Sequence, residues 1–466
     1  MNRKRMVIPA LFFGMVAVFF VYSAYLAPYS VTHGYYVSIA KRMAEGLVAG
    51  KDFMLADTLL ALWLMSLPFR LMGTEASGAW AMGMVVCVHL LNMGLLVRLM
   101  HRLHIGEVAR WMGAAFYGTV LYSTDALMTN LEPFAVCFLL MASLALLRKS
   151  KRATAWAAVC FALAVGCKAQ SIAMAPVLVG MVLWQGKGER IRLEKGLLFT
   201  LVAVAVCGLG YVGMAWSSGD PHWTDSLEWI YRDEEKEAWM QFLVTLIIQG
   251  GRCSMYIFLL MFPAWRKLPA YGKQFCVWGL LAFACQVALL CFRTETVYGM
   301  FTYPFAAITF AFLWERFARN RWAMVVLLSA FLIPGYLMVR EYRKLDNGKA
   351  KAAQAEQIKE FKTMLGHPVK TVAYFDKCLD YQLGAQLYSE VPALCPMGLK
   401  TSRFGLERSE QELAKLVGQL EDADCIILNE DGMSTLTYGN YADAFFEVIS
   451  NRKGIGVGEF MVYLKE

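Results

Sequence analysis

Residues 153–184 read ATAWAAVCFALAVGCKAQSIAMAPVLVGMVLW, an apolar run interrupted by a single charge, Lys168, just after Gly166. A membrane-spanning helix needs roughly 20 mostly apolar residues, because the hydrocarbon core of a bilayer is about 30 Å thick. As one helix, this run crosses once. Divided at Gly166-Cys167-Lys168, it crosses twice, and everything after it changes side. The Lys and Arg residues elsewhere decide between the two, because cytoplasmic loops carry the excess of positive charge. With Met1-Asn2-Arg3-Lys4-Arg5 in the cytoplasm and the run divided, the loops predicted inside are basic: Arg98 to Arg110, Arg148 to Arg152, Lys187 to Lys195, Arg266 to Lys273 and Arg316 to Arg321. The loops predicted outside are poor in Lys and Arg or rich in acid, most clearly 217–238, with Asp220, Asp225, Glu228, Asp233, Glu234, Glu235 and Glu237.

The expected spans are then about 7–27, 78–99, 109–124, 131–147, 153–167, 171–184, 196–216, 239–262, 274–292, 296–314 and 322–340. Composition agrees: 58% of the 466 residues are hydrophobic and 18% charged, against about a quarter charged in soluble domains. The net charge of +8 is accounted for by the inside loops, without nucleic acid. The first apolar run is longer than the roughly 7–15 residues of a signal-peptide core, so it reads as an uncleaved anchor. The chain is expected to be a multi-pass protein of a bacterial-type cytoplasmic membrane, with its N-terminus inside.

Of the 12 cysteines, Cys87, Cys137, Cys160, Cys167, Cys207, Cys253, Cys276, Cys285 and Cys291 lie in or beside apolar segments, where they act as small hydrophobes. No CxxC pair points to zinc or redox chemistry. For Cys378 and Cys395, a disulfide in an oxidising compartment is one reading and free thiols the other.

Two domains follow. Residues 1–340 form the bundle, with a long first outer loop at 28–77. Within that loop Tyr35 to Glu45 is amphipathic and stops at Gly46, and Asp57 is placed to cap a helix from Thr58 to Leu71 ending at Gly73. Both suit helices lying in the membrane interface. Residues 341–466 form a charged linker helix at 341–365 and a small α/β domain outside the membrane. Its strands are expected at Thr371 to Phe375, Cys425 to Leu428 and Phe460 to Leu464, and its helices at Glu410 to Leu420 and Tyr441 to Ile449.

Ionisable residues at membrane segments are functional candidates by default. Those on the outer side are Asp52 and Asp57, Asp125 and Glu132 around the turn after the third span, Lys168, and Arg293 with Glu295. Carboxylates beside cations at one face suit an anionic, lipid-linked substrate with a base or metal ligand next to it. A row of carboxylates through the membrane interior, which would point to proton-coupled transport, is absent from the sequence pattern. Arg252, predicted within a span, either pairs inside the bundle or meets a lipid phosphate.

This layout resembles the GT-C superfamily of membrane glycosyltransferases, which includes protein mannosyltransferases and lipid A aminoarabinose transferases. Bacterial members often show D-E-G-Y-Y, then A, G and D-F in the first loop, and L-F-G at the end of an interfacial helix. Here the stretch is Thr32-His33-Gly34-Tyr35-Tyr36, Ala40, Gly46, Asp52-Phe53 and Leu71-Met72-Gly73. Thr129-Asn130-Leu131-Glu132 is similar to a T-E position after the third span, Gly166-Cys167-Lys168 to a glycine–lysine turn, and Tyr298 with Tyr303-Pro304 to an H-Y…P segment. The D-E pair, where the family's catalytic aspartate is expected, is replaced by Thr32-His33.

The resemblance implies transfer of a sugar from a polyprenyl-phosphate donor to a glycan, lipid or protein at the outer face. His33, Asp52, Asp125 and Glu132 are the candidate catalytic groups, with Asp52 the candidate ligand should a divalent metal take part. Tyr36, Asp57, Lys168, Arg293 and Tyr298 are the candidate substrate contacts, Lys168 and Arg293 for the donor phosphate. The Thr32-His33 replacement keeps open a non-catalytic protein that binds a lipid-linked glycan or a partner. A transporter or flippase ranks last, since the sequence carries no internal repeat.

Overall fold

Lys168 does end a helix. Its backbone is extended (φ −156°, ψ 115°), and its N–H still bonds the Ala164 carbonyl at 2.9 Å. Helix Lys151–Cys167 stops there, a 3-10 turn runs over Ala169–Met174, and the chain turns into a second helix, Ala175–Trp184. Pro176 falls in the first turn of that helix, where its missing N–H breaks no helical bond. The division expected from charge is therefore made by the backbone.

This is a computed structural model that describes residues 4–27, 31–49, 58–74, 77–123, 129–184, 189–218, 238–247, 251, 253–260, 265–290, 296–317, 319–365, 372–374, 393–394, 414, 417–418, 420–428, 442–457 and 460–465. It is a polytopic α-helical bundle followed by a small α/β unit. The helices are α1 Lys4–Leu26, α2 Val31–Ala44, α3 Leu59–Met72, α4 Ala79–Arg102, α5 Glu107–Ser123, α6 Glu132–Leu146, α7 Lys151–Cys167, α8 Ala175–Trp184, α9 Glu189–Ser218, α10 Ala238–Ile247, α11 Ala270–Leu290, α12 Tyr303–Phe317, α13 Arg321–Lys344 and α14 Lys349–Leu365.

The bundle is knit by α6 on α7, α7 on α9, and α5 on α12. Phe116 and Phe310 stack between the last pair, with ring centres 4.6 Å apart. By contrast, α9 presents Leu201, Val204, Leu209 and Val212 outward. A helix exposed along its apolar face in this way is suited to lipid, since scattered surface apolar residues do not normally form such a stripe.

Among the described residues, three helices are by themselves long and apolar enough to cross a membrane: Ala79–Arg102, Arg190–Ser217 and Arg321–Ala353. Others are shorter apolar helices, such as Glu132–Leu146, which at 1.5 Å per residue falls short of the full hydrocarbon thickness. The eleven expected spans are thus not eleven unbroken helices. The expected span at 239–262 is represented by α10 and a separate 3-10 turn, Met255–Leu260. The one at 296–314 opens with a 3-10 turn, Thr296–Phe301, before α12 begins at Tyr303. Apolar composition marks membrane depth and not helix continuity, because backbone can break within an apolar bundle where it is surrounded by protein. At the second break Thr302 Oγ1 lies 3.3 Å from Gln286 Oε1, and Tyr303 Oη lies 3.3 Å from Cys253 Sγ.

The first loop also differs from expectation. Its first helix begins at Val31 rather than Tyr35, so Thr32 and His33 are helical. Its second has Thr58, not Asp57, at the N-cap position, without a side-chain cap bond. Gly46 and Gly73 both adopt φ +90°, as turn glycines ending helices. Arg70 ties the two helices, donating to the Met43 carbonyl at 2.9 Å. Arg252, the acidic loop beyond Ser218 as far as 237, Cys291, Cys378 and Cys395 lie outside the described residues.

The last bundle helix, α13, runs past the expected boundary at 340 to Lys344, and α14 is the linker helix. Beyond it, β1 Val372–Tyr374, β2 Ala393–Leu394, β3 Cys425–Leu428, β4 Lys453–Val457 and β5 Phe460–Leu464 form one sheet in the order β2-β1-β3-β5-β4. β1 is parallel to both β2 and β3, while β5 runs antiparallel to β3 and β4. Helix α15, Ala442–Ser450, agrees with expectation, as do β1, β3 and β5; β2 and β4 were not expected from the pattern. The expected helix at 410–420 is described only in fragments.

The α5–α12 contact depends on Gly113, where a Cβ would meet the Ala307 carbonyl oxygen at 2.9 Å and Ala311 Cβ at 3.0 Å. Gly113→Ala is expected to lower the thermal midpoint in detergent, although alanine gains about 1 kcal/mol of helix propensity, because overpacking costs about 1–3 kcal/mol. Gly83→Ala, with no atom within 4 Å of its Cβ, should leave it unchanged or raised. Equal midpoints for the two variants would contradict this packing.

Candidate functional site

Two helix ends bring opposite charges together. Glu132 opens α6, where a carboxylate is favoured by the helix dipole, and Lys168 follows the last turn of α7, where a cation is favoured. Because α6 and α7 are antiparallel neighbours, these ends coincide. Lys168 Nζ lies 3.5 Å from Glu132 Oε1, with side-chain exposures of 6% and 3%. A buried pair of this kind depends on both partners, since removing one leaves an uncompensated charge. From the next helix, Asn92 Nδ2 donates to the Pro133 carbonyl at 2.8 Å and fixes the start of α6 against α4.

His33 stands beside this pair. It is fully buried, and its Nδ1 lies 2.6 Å from Thr129 Oγ1. Thr129 is three residues before Glu132. The first turn of α4 closes over the ring: a Cβ on Gly78 would sit 3.2 Å from His33 Nε2 and from Val37 Cγ1. Burial, and to a smaller extent the charge of Lys351, pushes the imidazole down to about 3, so it is neutral at pH 7. The sequence placed His33 in a loop. The helix starting at Val31 turns it inward instead, and Tyr36, one turn on, is buried with it.

Gly166 and Ala169, on either side of Lys168 in the chain, line a cavity of about 660 Å³ with almost wholly apolar walls, to which the Lys168 and Glu132 side chains do not contribute. Thr58, Leu60 and Trp63 come from the start of α3, Gly166 and Ala169 flank the Lys168 break, and Cys207, Gly210, Tyr211 and Met214 come from α9. Gly166 packs beside α3, where a Cβ would make an ordinary contact with the Leu60 side chain at 3.6 Å. An apolar cleft of this size is the usual form of a small-molecule site.

Of the nine candidate residues, the structure brings together His33, Glu132 and Lys168, with Tyr36 on the same helix as His33. Tyr298 falls in the 3-10 turn Thr296–Phe301, which packs against α6 and the turn after Lys168; of its side chain nothing is described. Asp52, Asp57, Asp125 and Arg293 lie outside the described residues. A hard divalent cation takes several oxygen ligands, and among the described residues there is no group of three or more His, Cys, Asp or Glu side chains able to hold one. Sequence reasoning missed Thr129 and Asn92. Asn92 had a signal, as a polar residue inside an apolar span. Thr129 was legible only as part of a motif.

No family model matches the sequence, and no curated protein matches it. Among solved structures the same fold is found in ArnT from Cupriavidus metallidurans. In its complex with undecaprenyl phosphate the TM-score is 0.64 at 13% identity, covering 99% of this chain and 98% of that one. In its apo state the TM-score is 0.61, again at 13% identity, with 98% of each chain covered. The fold is therefore shared with ArnT over nearly the whole chain.

Two outcomes follow for stability. Glu132→Gln and Lys168→Met should each destabilise the protein by about 3–5 kcal/mol, while the double variant recovers most of that loss, because no lone charge stays buried. Additive losses in thermal or denaturant unfolding would contradict the pair. For His33, the unfolded chain binds a proton near 6.5 and the folded chain only near 3. Stability is thus complete above about 6.5 and falls with pH by up to about 1.4 kcal/mol per unit down to the folded value. His33→Gln should show a shallower acid slope; identical slopes would contradict a buried neutral imidazole.

Proposed function

We propose that this chain is a membrane glycosyltransferase, moving a sugar from a polyprenyl-phosphate donor to an acceptor hydroxyl or amine at the outer face of the cytoplasmic membrane. The observation that carries this reading is the buried Glu132–Lys168 pair, whose Lys168 is flanked by Gly166 and Ala169 in the wall of a 660 Å³ apolar cavity, on a fold shared with a protein solved in complex with undecaprenyl phosphate. A lipid phosphate has the two parts that this site separates: an apolar chain for the cavity and an anion for the lysine.

In the proposed reaction Lys168 contacts the donor phosphate and stabilises the charge that develops on it as the bond from the sugar carbon to the phosphate oxygen breaks. The acceptor oxygen or nitrogen forms the new bond to that carbon from the opposite side. Its proton passes to a carboxylate, and the polyprenyl phosphate leaves. Glu132, the described carboxylate beside Lys168, is proposed for this role, with Asp52 and Asp125 the further candidates. His33, neutral and bonded to Thr129, holds the segment leading into Glu132 instead of taking the proton. Tyr36, Asp57, Arg293 and Tyr298 are proposed to complete the substrate contacts. Should a divalent metal take part, Asp52 is its candidate ligand, and the metal would supply Lewis-acid stabilisation of the phosphate. In this reading the N-terminus lies inside and the α/β domain outside, in keeping with the basic loops.

The non-catalytic alternative keeps one observation in its favour. Where the D-E pair is expected there are Thr32 and His33, and His33 is held too far below neutrality to serve as a base near pH 7. Transfer by purified protein from a panel of polyprenyl-phosphate sugars separates the two. Glu132→Gln is expected to reduce kcat per folded molecule by about 10²-fold or more, and Lys168→Met to raise KM for the donor. Donor-dependent transfer that both variants leave unchanged would rule out this mechanism. Binding of the donor without any transfer would favour the alternative.

A further inference from the structure

The apolar cavity carries a cation at its rim. Met43, in the last turn of α2, and Trp63, in the first half of α3, both line the cavity. Arg70, two turns beyond Trp63 on α3, touches both. Its Nη2 donates to the Met43 carbonyl at 2.9 Å, and its guanidinium carbon lies 5.8 Å from the centre of the Trp63 ring. Its Nε donates to Ser66 Oγ at 3.2 Å, and Ser66 Oγ donates to the Trp63 carbonyl at 2.7 Å. Trp63, Ser66 and Arg70 therefore form one connected row along α3. Trp63 is 42% exposed and Arg70 is exposed, so this wall of the cavity reaches the surface of the bundle.

Charge is what makes this row informative. Of the five N–H donors of a guanidinium, Ser66 and Met43 take two, and both acceptors are neutral. Among the described residues no carboxylate pairs with Arg70. Lys168, by contrast, is paired with Glu132. The walls that Arg70 adjoins are almost wholly apolar. An apolar cavity with an unmatched positive charge at its rim fits an amphiphile, with the chain inside and an anionic head outside. A guanidinium is the side chain best shaped for phosphate, because its planar fork meets two oxygens at once.

We propose that Arg70 is an anion-binding residue at the rim of the cavity, where it receives the phosphate of a polyprenyl lipid entering from the membrane interface. Arg70 thus selects a lipid with a charged head over a neutral one, while Lys168 remains the contact at which the proposed transfer occurs. Trp63 suits this place, since tryptophan concentrates at the level of the lipid headgroups. The identity of the lipid rests on the donor reading above; the assignment of its selection to Arg70 goes beyond it.

The test uses the full chain in detergent, titrated with undecaprenyl phosphate and, separately, with undecaprenol, and read by native mass spectrometry. Arg70→Gln keeps an N–H donor for the Met43 carbonyl but removes the charge; Arg70→Lys keeps the charge without the fork. Undecaprenyl phosphate is expected to bind Arg70→Gln about tenfold more weakly than the native chain, as the loss of one charge-assisted hydrogen bond implies. Arg70→Lys should bind it about threefold more weakly, with undecaprenol unchanged by either variant. The proposal is overturned if Arg70→Gln binds undecaprenyl phosphate as the native chain does; where Lys168→Met still weakens it, the donor reading stands. It is also overturned if Arg70→Gln weakens undecaprenol equally, since the effect is then on the packing of α2 and α3 and not on the phosphate. Weakening of the phosphate lipid alone by Arg70→Gln, with Lys168→Met without effect, would uphold Arg70 and remove Lys168 as the donor contact. If the native chain prefers neither lipid, the donor reading itself fails, and this proposal with it.

Discussion

One buried ion pair organises this end of the bundle. Glu132 and Lys168 are charges that an apolar bundle accepts only when paired, and their pairing requires that α6 begin where α7 ends. That requirement fixes the antiparallel packing of the two helices, places the chain break at Lys168, and forces the short turn Ala169–Met174 before α8. The same break puts Gly166 and Ala169 in the wall of the apolar cavity. Charge, topology and cavity are therefore consequences of one contact.

Around that contact, neighbouring elements supply polar partners in place of water. Asn92 takes the Pro133 carbonyl and Thr129 meets His33, while Arg70 takes the Met43 carbonyl and joins the two helices of the first loop. Bonds of this kind suit a short helix such as α6, whose Pro133 carbonyl is met by Asn92, or an irregular turn such as Thr296–Phe301, to an apolar bundle, since freed backbone groups there need protein partners. A region built from such turns has the variety of directions that a substrate site needs, which unbroken spanning helices cannot provide.

Much of this was legible in the sequence. The division at Lys168 followed from charge placement along the entire chain, which integrates many weak signals. The strands Cys425–Leu428 and Phe460–Leu464 were clear because their apolar runs are bounded by polar residues. Other features were not readable. Hydropathy reports depth, so it showed a single span where α10 and Met255–Leu260 are separate pieces. Strand β4 contains Gly454 and Gly456 and lacks a strand pattern; its pairing with β5 makes it a strand. His33 read as a loop residue because nothing local marks Val31 as a helix start, and its burial comes from Gly78 and Thr129, which are distant in sequence.

The central claim is that the Glu132–Lys168 pair and the adjoining cavity together receive a lipid phosphate. An experimental structure of the full chain with undecaprenyl phosphate tests it most directly. The account predicts phosphate oxygens within hydrogen-bonding distance of Lys168 Nζ and the prenyl chain running past Gly166 towards Tyr211. Density for the lipid at another face of the bundle, with the cavity vacant and Lys168 bonded only to Glu132, would contradict it.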